Sequence, residues 1–214
     1  MEKTIEAVIF DIGGVLTTSP VQSIRTYETR AGLTSGALRS LLASHEGAWS
    51  RFEKSELSPH AFVAAFEEEA LGLGLSIDGS AFLAAFFEEL VVREEMLAVV
   101  SFLKGRWALG AITNNVSRSD GTAAGGALVL EDLFDVVIES SKVGLRKPDL
   151  RIYLMACEQL GVDPSAAVFL DDFGINLKAA RQLGMTTIKV DETTAAIDEL
   201  ASVLGIELPR SGPT

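Results

Sequence analysis

The sequence predicts an α/β protein, a Rossmann-like parallel sheet with helices on both faces, interrupted after its first strand by a small inserted helical segment. Three observations lead there. Ala7-Val8-Ile9-Phe10 is a continuous apolar run, the pattern of a strand buried on both faces. From about Met96 onward, short apolar runs alternate with amphipathic stretches that end at glycine. Between these regions, apolar residues recur at helical rather than strand spacing. The expected division is a core of residues 1–16 and 94–214 and a small helical insert of residues 17–93.

Each element has its own signal. In the insert, Ala37, Leu38, Leu41 and Leu42 share one helical face, as do Ala61, Phe62, Ala65 and Phe66, and then Ala81, Phe82, Ala85, Phe86 and Leu90. Ser58-Pro59 marks one helix start and Ser80 another, with Gly72, Gly74 and Gly79 between them. The Phe-rich stripe reads as packing material. Beyond it, helices are expected over Met96–Lys104, Asp149–Leu160, Ile175–Leu183 and Thr194–Leu204, followed by Gly105, Gly161, Gly184 and Gly205. Strands are expected over Trp107–Ile112, Asp135–Glu139, Ala167–Leu170 and Thr186–Val190. Gly121–Gly126 reads as a connecting loop.

Composition narrows the function classes. At 214 residues, 48% of them hydrophobic, the chain can bury a substantial core and is not a disordered segment. Its 18 Lys and Arg against 30 Asp and Glu give a net charge of −12, which argues against a nucleic-acid surface. No apolar run approaches the ~18 residues that span a membrane. Cys157 is the sole cysteine, so an internal disulfide is impossible and a buried apolar role is expected. The chain starts Met1-Glu2-Lys3 and enters its first strand almost at once, which leaves no room for a signal peptide. A reducing cytoplasm is the expected compartment.

Open α/β sheets bind ligands beyond the carboxyl ends of their strands. Asp11 follows the first strand, and Gly13-Gly14 then allow a tight turn and close approach. Taken alone, Asp before glycine can simply begin a turn. Thr113-Asn114-Asn115 and Asp171-Asp172 sit at the ends of two further predicted strands, which turn chemistry alone does not explain. Lys147 precedes Pro148, so it is expected to be extended, with its side chain reaching inward, while Arg146 beside it is expected to be solvated. Carboxylates, a lysine and a hydroxyl in one place suit phosphoryl transfer, in which fixed positive charge offsets repulsion between a carboxylate nucleophile and an anionic phosphate. Asp11 and Asp172 also offer hard oxygen ligands for Mg²⁺. His45 and His60 read as surface or packing residues, and Trp49, Arg51 and Glu53 as contacts between insert and core or as substrate selectors.

In their order and context, Asp11, Thr113, Lys147 and Asp171-Asp172 resemble the four motifs of the haloacid dehalogenase superfamily. The stretches from Phe134 to Ser140, Lys147-Pro148-Asp149 and Val168 to Lys178 are similar to the phosphatase-like domain of soluble epoxide hydrolases. The Phe10-Asp11-Ile12-Gly13-Gly14-Val15-Leu16 start and Trp49-Ser50-Arg51-Phe52 are similar to the acyl-CoA dehydrogenase 10 group. The resemblance implies Asp11 as nucleophile through an aspartyl-phosphate and Thr113, Asn114 and Lys147 as substrate ligands. It implies Mg²⁺ on Asp11, the Gly13 carbonyl and Asp172, with Asp171 and Asn176 in support. The implied substrate is a small phosphorylated molecule. One departure is visible: Gly13 stands where most phosphatases of this superfamily carry an aspartate that protonates the leaving oxygen. That substitution leaves open a phosphatase of weak activity, a non-catalytic domain that binds a phosphometabolite or a protein, and a carbon–halide hydrolase.

Overall fold

The structure, a computed structural model, describes residues 4–88, 91–115 and 129–210. Strand β1 (Ala7–Phe10) is wholly buried and alternates between two cores. Val8 and Phe10 enter one hydrophobic cluster, Ala7 and Ile9 the other. That period-two division is why the run contains no polar residue: both faces of the strand are interior.

The remaining strands are β2 (Ala108–Thr113), β3 (Val136–Glu139), β4 (Ala167–Asp171) and β5 (Thr186–Lys189). All pair in parallel, in the order β3-β2-β1-β4-β5. The chain therefore builds outward from β1 to β3, then crosses back to place β4 on the other side of β1. This reversal opens a crevice at the carboxyl ends of the central strands. Beyond the insert the helices are α6 (Glu94–Leu103), α7 (Leu130–Leu133), α8 (Ser140–Val143), α9 (Leu150–Leu160), α10 (Gly174–Gln182) and α11 (Thr193–Leu204). The buried stripes of α6 and α11, including Met96, Val99, Ile197 and Leu200, cover one face. Those of α9 and α10, including Ile152, Tyr153, Leu177 and Ala180, cover the other.

Predicted and observed boundaries differ by one or two residues, and the glycines expected to close helices adopt the left-handed conformation, with φ from 67° at Gly205 to 88° at Gly184. The predicted loop Gly121–Gly126 and the position of Leu90 lie outside the described residues, as do Met1–Lys3.

The insert contains α1 (Pro20–Arg30), α2 (Arg39–Ala43), α3 (Ala48–Glu53), α4 (Pro59–Gly72) and α5 (Gly79–Glu88). Its core is the Phe-rich stripe, with Phe62 stacked between Phe52 at 4.5 Å and Phe66 at 5.0 Å, and Trp49 edge-on to Phe86 at 5.0 Å. The α4 start follows expectation, with the Ser58 hydroxyl accepting from the Ala61 amide. Asp78 rather than Ser80 caps α5, its Oδ1 accepting from the Ala81 amide at 2.8 Å. The helix α1 was not legible in the apolar pattern because two of its three buried residues, Ser23 and Glu28, are polar, with Tyr27 the third. The insert leaves and re-enters the core through adjacent strands of chain: the Thr18 amide donates to the Val91 carbonyl and the Arg93 amide to the Leu16 carbonyl, each at 2.8 Å.

Candidate active site

Three strand ends bring distant parts of the sequence together. Asp11 directly follows β1, and Asp171 is the last residue of β4, the strand paired beside it. Lys147, from the loop between α8 and α9, points inward as expected and is 1% exposed. Its Nζ lies 2.7 Å from Asp11 Oδ1 and 2.8 Å from Asp171 Oδ2, and it donates to the Ile112 carbonyl at 2.8 Å. The ammonium thus uses its three protons on three strand ends. Asn114 fixes the backbone that presents it: Nδ2 donates to the Lys147 carbonyl at 3.0 Å, and Oδ1 accepts from the Lys147 amide at 2.8 Å.

Asp171 is fully engaged. Beyond Lys147, it accepts from the Phe173 amide at 2.7 Å and from Asn176 Nδ2 at 3.0 and 3.1 Å. Asn176 is in turn anchored by Tyr153, whose hydroxyl donates to its carbonyl at 3.1 Å. Asp171 and Asn176 therefore orient the lysine and have little capacity left for a ligand. Thr113 ends β2, buried and in register with Glu139, and its hydroxyl is held by none of the other site residues. Asn115 is likewise buried but belongs to a separate network with Glu139, Ser140 and Ser141.

Asp172 differs from its neighbour. Its Oδ2 accepts from the Ser19 hydroxyl at 2.7 Å, whereas Oδ1 is buried with no hydrogen-bond partner. Carboxylate oxygens of Asp11, Asp171 and Asp172 come within 4.8 Å of one another. A buried carboxylate oxygen without a donor, in a cluster of acids with one adjoining lysine, fits a hard divalent cation such as Mg²⁺. Gly14 makes room for this arrangement: a Cβ there would lie 2.2 Å from Asp172 Oδ2, and its φ of 82° itself favours glycine.

Electrostatics agree with the donor set. Burial pushes the Asp11 carboxyl well up, Lys147 pulls it down, and Asp171 and Asp172 push it up again, so the net direction is upward. Burial lowers Lys147, yet its pairs with Asp11 and Asp171 prevail and keep it charged. Asp172 rises to about 6, chiefly through burial, with Asp171 adding and the Ser19 hydrogen bond opposing. Carboxylates strained in this way gain most from a bound cation.

Above these groups lies a cavity of about 450 Å³. Asp11, Gly13, Asn114, Lys147 and Asn176 line it from the core; Pro20, Val21, Ile24, Trp49 and Phe86 line it from the insert. Phe173 and Ile175, both exposed large apolar side chains, complete one side. His45 also faces it, as an exposed residue, while His60 lies elsewhere.

Several residues depart from expectation. Arg146 is not solvated: it lines the cavity, and its Nε lies 2.7 Å from Glu53 Oε2, because the α3 end of the insert sits against this loop. Arg51 contacts Glu56 within the insert instead of the core. Ser19 and the apolar pair Phe173 and Ile175 were missed. A signal for each existed, namely the Ser19-Pro20 helix start close behind the glycine turn and two large apolar residues flanking the polar Asp171-Asp172 turn.

Comparison with known proteins agrees with this fold. A family model for haloacid dehalogenase-like hydrolases matches residues 5–184. Acyl-CoA dehydrogenase family member 10 of Mus musculus is 35% identical over 99% of the chain, and bifunctional epoxide hydrolase 2 of Sus scrofa is 32% identical over 98% of it. The chain spans only 20% and 41% of those two proteins. Sesquiterpene phosphatase astK of Aspergillus oryzae is 28% identical over 94% of the chain and 98% of its own length. Among solved structures, a HAD family enzyme of Bacteroides thetaiotaomicron, in complex with magnesium and inorganic phosphate, aligns with a TM-score of 0.61 at 21% identity. It covers 88% of this chain and 96% of that one, a likeness of fold.

Proposed function

Because the chain belongs to the haloacid dehalogenase-like hydrolases, we propose that it is a Mg²⁺-dependent phosphatase acting on a small phosphate monoester with an apolar body. The observation that carries this reading is the Lys147 ammonium, 2.7 Å from Asp11 at the floor of the cavity, beside an Asp172 oxygen that is buried and unpartnered. A lysine so held opposes the upward push of burial on the Asp11 carboxyl and screens the approach of its carboxylate to an anionic phosphate. Asp11 attacks phosphorus, the ester oxygen leaves, and water hydrolyses the aspartyl-phosphate. Thr113, Asn114 and Lys147 are the proposed substrate ligands.

Asp11, Asp172 and the Gly13 carbonyl would hold the metal, which when bound withdraws charge from the phosphoryl oxygens. Asp171 and Asn176 position Lys147. Residues 17–93 act as a cap over residues 1–16 and 94–214, and their apolar side chains favour a substrate with an aliphatic or cyclic body over a polyol. The phosphatase homologue that spans the same length supports this choice. The unpartnered Asp172 oxygen favours metal-assisted phosphoryl transfer over carbon–halide hydrolysis. A single buried thiol, Cys157, suits a reducing cytoplasm.

The test is a phosphate-release screen with Mg²⁺ over alkyl, terpenyl, aryl and sugar phosphates, with Asp11→Asn as control. Release from apolar esters that disappears with EDTA and with Asp11→Asn is expected. Release from no ester, or release that survives Asp11→Asn, refutes the reading.

A further inference from the structure

Building on the phosphatase reading, we propose that Glu53, delivered by α3 of the insert, is the proton donor to the leaving group, in the role that the side-chain-less Gly13 cannot fill, and that Arg146 holds the carboxylate Glu53 becomes. Glu53 is 5% exposed and lines the same cavity as Asp11, Gly13 and Lys147. Its Oε2 is 2.7 Å from Arg146 Nε, yet the two are out of line for a hydrogen bond, and both atoms are buried without one. The two groups meet as an ion contact without a formed hydrogen bond, which leaves the Glu53 oxygen at the cavity wall able to give or take a proton. The backbone is anchored where the chemistry needs it: the Ser140 hydroxyl, just beyond β3, donates to the Glu53 carbonyl at 2.6 Å.

The groups that act on Glu53 come from its own helix α3 and from the loop between α8 and α9. Burial raises its carboxyl, and Arg146, the Trp49 indole and Lys147 oppose that rise; the outcome is about 7. Its carboxyl is thus held well above the usual carboxylate range and close to neutrality, where a general acid works best. As Asp11 attacks and the ester P–O bond breaks, the Glu53 proton passes to the departing oxygen and an alcohol leaves. Glu53, now a carboxylate, pairs with Arg146. It then takes a proton from the water that attacks the aspartyl-phosphate, so that phosphate is released with Asp11 and Glu53 both restored.

The experiment measures kcat and KM with Mg²⁺ for hexyl phosphate, a poor leaving group, and p-nitrophenyl phosphate, a good one, in wild type and Glu53→Gln. Loss of the acid predicts a fall in kcat on hexyl phosphate of about 10²–10⁴-fold, with KM little changed and p-nitrophenyl phosphate slowed less than about 10-fold. The wild-type rate on hexyl phosphate is expected to fall above pH ~7 while the aryl ester shows no such limb. Gly13→Asp is expected to restore part of the hexyl phosphate rate to Glu53→Gln, because a Cβ at Gly13 meets only Pro20, at 3.5 Å. Equal slowing of both esters, or a wild-type alkyl profile with no limb between pH 6 and 8, overturns the assignment. The profile decides even if Glu53→Gln fails to fold. A wild type that hydrolyses neither ester refutes the phosphatase reading and this assignment with it, whereas aryl and alkyl turnover with the wrong Glu53 pattern refutes the assignment alone.

Discussion

Replacing Lys147 with methionine removes an ammonium that lies 2.7 Å from Asp11 and 2.8 Å from Asp171, while keeping most of the side-chain volume. At an effective dielectric of about 20, each contact is a gross attraction of about 6 kcal/mol. Much of that is offset by the cost of burying the ammonium. What remains after deletion is the penalty of leaving buried carboxylates uncompensated, typically about 3–5 kcal/mol. For a chain of this length that corresponds to a fall in melting temperature of about 6–20 °C.

The pH dependence has a definite sign. Without the cation, Asp11, which burial and its acidic neighbours already push upward, binds a proton more tightly in the native state than in the unfolded chain. Stability of the variant therefore declines as pH rises. Wild type, in which Lys147 remains charged, loses less over the same range. Thermal and urea unfolding of both proteins at pH 5, 6.5 and 8, without metal, should show a gap that widens toward pH 8. A variant within about 1 kcal/mol of wild type at pH 8, or a gap that narrows as pH rises, would refute the argument that this lysine is the countercharge of the acidic cluster.

Mg²⁺ should raise the melting temperature of wild type, by about 2.7 kcal/mol in stability at 100 times its Kd, and should not do so in Asp172→Asn; a melt unmoved by magnesium in wild type contradicts the cation site. Gly14→Ala places a Cβ 2.2 Å from Asp172 Oδ2 and puts alanine in left-handed backbone. It is expected to cost at least about 1–2 kcal/mol and to abolish the magnesium-dependent shift, as read by the same melts; a variant that retains the full shift removes Asp172 from the metal site.

The core was legible because its determinants are local. Apolar runs of strand length, glycines after amphipathic stretches and polar residues at strand ends reported the parallel sheet and the positions of Asp11, Lys147 and Asp171. The division of labour between Asp171 and Asp172 was only half legible, since both are acids at one strand end. What separates them is that the Phe173 amide and Asn176 turn toward one, and Ser19, some 150 positions earlier in sequence, reaches the other. Arg146 was misread for a related reason: nothing in Leu145-Arg146-Lys147-Pro148 announces that α3 will pack over it. Side chains whose partners come from another part of the fold are invisible to periodicity.

Those cross-links tie the insert to the strand ends around one cavity. The Ser19 hydroxyl, which begins the insert, holds one oxygen of Asp172, and Glu53, which ends α3, meets Arg146 and Ser140 beside Lys147. A shift of the insert relative to the sheet would change the setting of a carboxylate that faces the proposed cation and the distance of the proposed acid together. Ser19→Ala isolates the first of these links. It removes the donor to Asp172 and a weak helix-start bond to the Val21 amide at 3.4 Å, and so is expected to cost about 1 kcal/mol or less in stability. Its larger effect should fall on the concentration of magnesium needed for half-maximal rate. If that concentration is unchanged while stability falls by a full cap's worth, the hydroxyl serves only the helix, and the insert's hold on the metal carboxylate is absent.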